Sequence, residues 1–141
     1  MNQENLYQCK SKPIPGRDYS DVYRTARKIY NEIKNNTKRR PYLKSAYFKG
    51  DKVFFDNFWP HLNQKNPRDR KRRLKYFECA MELIEKSKFQ PYFQKKHPDK
   101  NEVLYRFQGA SNQQCFMIQI KHDIKRGQKF LMSIFEFNKQ K

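Results

Sequence analysis

The stretch Cys115-Phe116-Met117-Ile118-Gln119-Ile120-Lys121 decides the fold. Phe116, Ile118 and Ile120 alternate with Met117, Gln119 and Lys121, a period of two that predicts a strand with one buried and one polar face. Similar runs lie on either side, Glu102–Phe107 before it and Phe130–Phe135 after it. Gly109–Gln114 and Lys125-Arg126-Gly127-Gln128 supply turn residues between them. These runs predict an antiparallel meander, a sheet of three or four strands.

Upstream of the meander the pattern changes. Residues 88–101 (KFQPYFQKKHPDKN) carry two prolines and read as a loop. Asn66-Pro67 is a good cap and first-turn pair for a helix running to about Ser87, with Leu74, Phe77, Ala80, Met81 and Ile84 as its apolar stripe. Asp56 is the cap expected for a short helix that turns Phe58, Trp59 and Leu62 inward. Residues 45–55 place two short aromatic and β-branched runs around Gly50-Asp51, the signal of a hairpin. From Ser20, capped by itself or by Asp18, Val22, Ala26, Ile29, Tyr30 and Ile33 recur at helical spacing as far as Asn35-Asn36. Residues 1–17 show no periodicity and predict a flexible N-terminal arm. The expected fold is therefore α+β, with N-terminal helices packed on a small C-terminal antiparallel β-sheet, as a single domain over 18–141.

Charge then bounds the function. The 141 residues carry 32 Lys and Arg against 14 Asp and Glu, a net charge of +18. Such self-repulsion implies an acidic partner, with nucleic acid first, an anionic membrane surface second and an acidic protein third. The 22 aromatic residues argue for a packed core rather than a disordered basic tail. No window is apolar enough for a membrane helix, and the first residues lack a signal-peptide apolar region. Cys9, Cys79 and Cys115 form no paired spacing, and His61, His97 and His122 add no metal-ligand pattern. A reduced cytoplasmic protein without metal or cofactor is expected.

The densest charge lies in residues 65–75, where Lys65, Arg68, Arg70, Lys71, Arg72, Arg73 and Lys75 accompany the single anion Asp69. Cations near a helix N-terminus oppose its dipole and repel one another, a cost that a bound phosphate relieves. The plain alternative is a solvated basic face. No Walker loop, HExxH, GxSxG or magnesium-binding carboxylate cluster is present. Metal-free RNA cleavage needs only a base, an acid and cationic stabilisation of the phosphorane. His61, one helical turn before Lys65, is the best-placed histidine, against the alternative of an ordinary packed histidine beside Trp59. On the strands, Tyr105, Arg106, Gln119, Lys121 and Ser133 are polar. If Arg106 and Ser133 share the Gln119/Lys121 face, they form a floor for a phosphate; otherwise they are cross-strand pairs on a solvent face.

Two groups of residues carry a family likeness. The first is Lys44-Ser45-Ala46-Tyr47-Phe48, Phe58-Trp59-x-His61-Leu62-x-x-Lys65 and Asp69-Arg70-x-Arg72-Arg73-Leu74-Lys75-Tyr76-Phe77-x-Cys79-Ala80. The second is Tyr105-Arg106-Phe107-x-Gly109, Gln119-Ile120-Lys121 and Met132-Ser133-Ile134-Phe135. Together, over residues 44–136, they resemble the phage-associated nuclease domains grouped with barnase, EndoU, the RNA-cleaving colicins and RelE toxins (the BECR fold). That resemblance implies helices on a small antiparallel sheet whose concave face is the active site, and a toxin-like, metal-independent endoribonuclease cutting tRNA or mRNA. It carries over His61, Lys65, Arg70, Arg72, Arg73, Arg106, Gln119, Lys121 and Ser133. Tyr105 stands where the family pattern has a histidine.

The expected catalytic residues are thus His61, Tyr105, Arg106, Lys121 and Ser133. Lys65, Arg68, Arg70, Arg72, Arg73, Lys75 and Gln119 are expected to bind nucleic acid. The expected partners are RNA and an acidic antitoxin or immunity protein. The alternative function is a non-catalytic nucleic-acid-binding accessory protein of a phage or mobile element.

Overall fold

The computed structural model describes residues 5–137. Its centre is the expected meander, longer than the sequence runs suggested: β5 (Glu102–Ser111), β6 (Gln114–Asp123) and β7 (Gln128–Glu136). Preceding strands are β1 (Tyr7–Gln8), β2 (Tyr42–Lys44), β3 (Lys52–Phe54) and β4 (Phe93–His97). The helices are α1 (Tyr19–Asn35), α2 (Phe58–Asn63), α3 (Pro67–Leu74) and α4 (Phe77–Lys86).

The expectation of a small antiparallel sheet is corrected. The sheet has seven strands in the order β1-β5-β6-β7-β3-β2, with β4 also on β5, and it curls as a half-barrel. It is mixed, because β1 runs parallel to β5 and β3 parallel to β7. β4 and β1 share one edge of β5, pairing with Glu102–Arg106 and with Gly109–Ala110 respectively. Neither edge strand carries an alternating apolar face. β4 (FQKKH) is exposed at four of its five positions, so main-chain pairing rather than burial makes it a strand. Residues 88–101 are therefore not wholly loop.

The arm is corrected likewise for its described part. Leu6 and Ile14 are buried, and Glu82 of α4 accepts from Tyr7 Oη at 2.8 Å and from the backbone N–H groups of Lys10 and Ser11 at 2.9 and 2.8 Å. Where β1 pairs with β5, Gly109 lets Phe116 and Leu83 pack close against the β5 backbone, since a Cβ there would lie 2.7 Å from Phe116 and 2.9 Å from Leu83.

The helices cover one face of the sheet. Val22, Ala26 and Tyr30 of α1, with Phe77, Ala80, Leu83 and Ile84 of α4, pack on Phe107, Phe116, Ile118, Ile120, Leu131 and Ile134. Asp18 caps α1 by accepting from Asp21 N–H, as its position suggests. The single helix expected from Asn66 to Ser87 is instead α3 and α4, divided at Lys75-Tyr76. At the break the Lys75 carbonyl accepts from Ile14 N–H at 2.7 Å. Tyr76 is fully buried, stacked 5.1 Å from Phe116 with its hydroxyl 3.2 Å from both Gln114 and Glu136. Burial of that ring sets the local direction of the chain.

Candidate nucleic-acid interface on the far face of the sheet

The face of the sheet turned away from α1 and α4 holds the polar residues of the meander. Strand register places Arg106, Gln119 and Ser133 in one row across β5, β6 and β7, with Lys121 two residues along β6 on the same face. Arg106 Nε donates to Gln119 Oε1 at 2.9 Å. The Arg106 guanidinium lies 5.2 Å from the Phe93 ring centroid and 5.5 Å from that of Phe135. One amide and two rings thus hold the cation in a fixed orientation. A one-residue irregularity between the Gln119 and Ile120 pairings leaves Met132 unpaired and keeps Ser133 opposite Gln119.

Cations and rings continue along this face toward β2. Lys121 Nζ is 5.8 Å from the Phe130 ring. Phe130 pairs with Phe54 of β3, and Phe54 with Tyr42 of β2. Arg40 lies 4.0 Å above Phe54, and Lys52 4.6 Å from Tyr42. Arg106, Lys121 and Lys52 form no ion pair among the described residues, so their charge stays available to a ligand.

Sequence reasoning missed Phe135, Arg40, Lys52, Phe54, Tyr42 and Phe130. Period two from Ser133 would have found Phe135. Phe93, like Tyr92, was legible as a ring able to stack on a base, with core or loop packing as the commoner role for such a residue, whereas Arg40 precedes a proline outside any regular run.

The dense cations of residues 65–75 are spent differently. Arg70 caps the end of α2, donating to the carbonyls of Lys65 at 2.7 Å and Asn63 at 2.8 Å. Lys71 donates to the Arg17 carbonyl at 2.6 Å. Arg73 pairs with Asp69 at 3.2 Å and reaches the Ile134 carbonyl at 3.3 Å, against the part of β7 that β3 does not cover. Lys75 pairs with Glu136 at 3.3 Å. These four hold the fold together. Arg68 and Arg72 are exposed, Arg72 with only a 3.9 Å contact to Asp69, and Lys65 is half-buried.

The proposed acid–base residues do not converge. Tyr105 pairs with Ile120 and so lies on the helix side of the sheet, packed on Phe48 with ring centroids 5.0 Å apart. Burial, with a smaller effect of Tyr47, pushes its hydroxyl above its ordinary pKa. His61 shares a narrow crevice with Arg73, Met132 and Ser133, at the end of the Arg106–Gln119–Ser133 row. Burial, then the charges of Lys65 and Arg73, hold its imidazole below its ordinary pKa, so it is neutral at pH 7.

No group of three His, Cys, Asp or Glu residues that could hold a metal occurs among the described residues. No helix among them is long and apolar enough to cross a membrane. Comparisons with protein-family models, with curated proteins and with solved structures found no match for this chain.

Proposed function

We propose that this protein binds RNA as a single strand across the far face of its sheet. The observation that supports the reading most is the row Arg106–Gln119–Ser133, with Arg106 held between Phe93 and Phe135 and Lys121 beside it. A fixed guanidinium suits a phosphate, the exposed Phe93 ring suits a base, and the Gln119 amide suits a ribose, while the buried Ser133 lies beneath them. The net charge of +18 adds long-range attraction for a polyanion. An acidic partner protein would compete for the same charges.

The test is fluorescence anisotropy with a labelled 12-nucleotide RNA over a salt series. Wild type should bind at low salt and weaken steeply as salt rises. Arg106→Ala should lower affinity about tenfold and flatten the log–log salt slope by about 0.7, the expected share of one phosphate contact to a single strand. Unchanged affinity in both Arg106→Ala and Lys121→Ala refutes the reading.

A second reading, metal-independent RNA cleavage, is favoured by His61, which is neutral and lies beside Ser133. It assigns His61 as the base that takes the 2′-hydroxyl proton as that oxygen attacks phosphorus, with Arg106 and Lys121 stabilising the phosphorane; the P–O5′ bond then breaks and water protonates the leaving oxygen, giving a 2′,3′-cyclic phosphate and a 5′-hydroxyl. Cleavage in EDTA by wild type and not by His61→Ala is its signature. Intact RNA that is nevertheless bound leaves the binding reading alone.

A further inference from the structure

At the β2–β3 end of the sheet a cavity of about 630 Å³ is lined by Lys38, Arg39, Arg40, Tyr42, Lys52 and Phe54. Four of these are cations and two are aromatic. We propose that this cavity is a nucleotide subsite in which the Arg40 guanidinium is the stacking platform for a base, and Lys38, Arg39 and Lys52 hold the adjoining phosphates. The inference rests on the proposed binding of single-stranded RNA and names where a second base of that strand is held.

Arg40 has the geometry for it. Its guanidinium lies 4.0 Å above the Phe54 ring, and its edge is pinned by Asp56, with Nη2 2.9 Å from Oδ2. Its side chain remains 40% exposed, so the plane is fixed from below and from the side while still meeting solvent. Arg106 differs, since two rings approach it, Phe93 from the adjacent β4 and Phe135 from β7 beyond β6. Arginine planes stack on bases as aromatic rings do, whereas a lysine ammonium offers only a point charge.

The surrounding cations point to the ligand's other half. Lys38, Arg39 and Lys52 are exposed and make no ion pair among the described residues. Among the described residues Asp56 is the carboxylate that pairs with Arg40, and Arg40 already neutralises it. The site shares the face of the first, with Phe130, Phe54 and Tyr42 in the row of Lys121, two residues along β6 from Gln119. From Arg106 on β5 the same face passes through Gln119 and Lys121 on β6, Phe130 on β7 and Phe54 on β3 to Tyr42 on β2. Four strand spacings make this about 19 Å along the curled sheet, the reach of a few extended nucleotides.

The experiment compares 2- and 8-nucleotide RNA probes, the longer carrying 2-aminopurine, on wild type, Arg40→Lys, Lys52→Ala and Arg106→Ala. Wild type should bind the longer probe about tenfold better and quench the 2-aminopurine. Arg40→Lys should lose most of that length gain and the quenching, although its charge is kept and its circular dichroism is native. Lys52→Ala should lose part of the gain and keep the quenching. If Arg40→Lys behaves as wild type while Arg106→Ala loses both probes, the subsite is wrong and the binding reading stands. If wild type binds neither probe at low salt, both fall. If an acidic peptide binds the cavity and an 8-nucleotide RNA does not displace it, the occupant is a protein segment and the proposal is overturned.

Discussion

Replacing Glu82 by glutamine tests how the N-terminal segment is tied to the fold. The Glu82 carboxylate accepts three hydrogen bonds, from Tyr7 Oη and Lys10 N–H on one oxygen and Ser11 N–H on the other. Partial burial acts to raise its pKa, but the donors of Lys10, Ser11 and Tyr7 outweigh it and bring the group from 4.5 to about 2. At 1.36 kcal/mol per pH unit this shift sets a ceiling of about 3 kcal/mol. The carboxylate is only half-buried, and screening reduces the expected contribution to about 1–2 kcal/mol. Because the folded-state pKa is depressed, the contribution is complete above pH 4.5 and fades as pH falls toward 2. Glutamine keeps one acceptor but turns an N–H₂ group toward the Ser11 N–H or the Tyr7 hydroxyl and Lys10 N–H. Urea unfolding at pH 7 should show Glu82→Gln less stable by about 1–2 kcal/mol, and the gap should narrow to less than half by pH 3. Amide exchange at Lys10 and Ser11 should quicken in the variant. A gap of the same size at both pH values, or no gap at all, refutes the reasoning.

Three further outcomes are expected. Gly109→Ala should destabilise by about 1–3 kcal/mol in denaturant, because its Cβ meets Phe116 and Leu83 inside 3.0 Å where β1 joins β5. Gln113→Gly should stabilise by about 1 kcal/mol and raise the thermal midpoint by about 4 °C, since Asn112 and Gln113 form the β5–β6 turn with φ of 51° and 65°. An NMR titration should place the His61 midpoint below 6.5 and Lys65→Ala should raise it, with Lys125→Ala, in the exposed β6–β7 turn, as a control outside that field. Since the folded protein disfavours charged His61, its effect on stability is neutral at pH 7 and unfavourable as pH drops below 6.5.

Much of the framework was legible in the chain. The period-two run at 115–121, its two neighbours and the helical spacing of Val22, Ala26 and Tyr30 all depend on local geometry, and the structure places them as strands and a helix. The common face of Gln119 and Lys121 followed from the same alternation. Register then added Arg106 and Ser133, which no local pattern fixes because it depends on where two separate strands meet.

What only the tertiary structure decided is the use of each group. Tyr105 and Arg106 are adjacent in sequence and face opposite ways, so the pleat separates a packed ring from an available cation. The seven cations of residues 65–75 look alike in a charge count. Four are committed to Lys65, Asn63, Arg17 and Ile134 carbonyls or to Asp69 and Glu136, partners brought near by chain folding. The strands β1 and β4 pair through main-chain groups that every sequence carries, and so left no signature of their own. Side-chain periodicity reports which face of an element avoids water. Which strands meet, and which charges those meetings consume, is fixed by contacts between residues far apart in the chain.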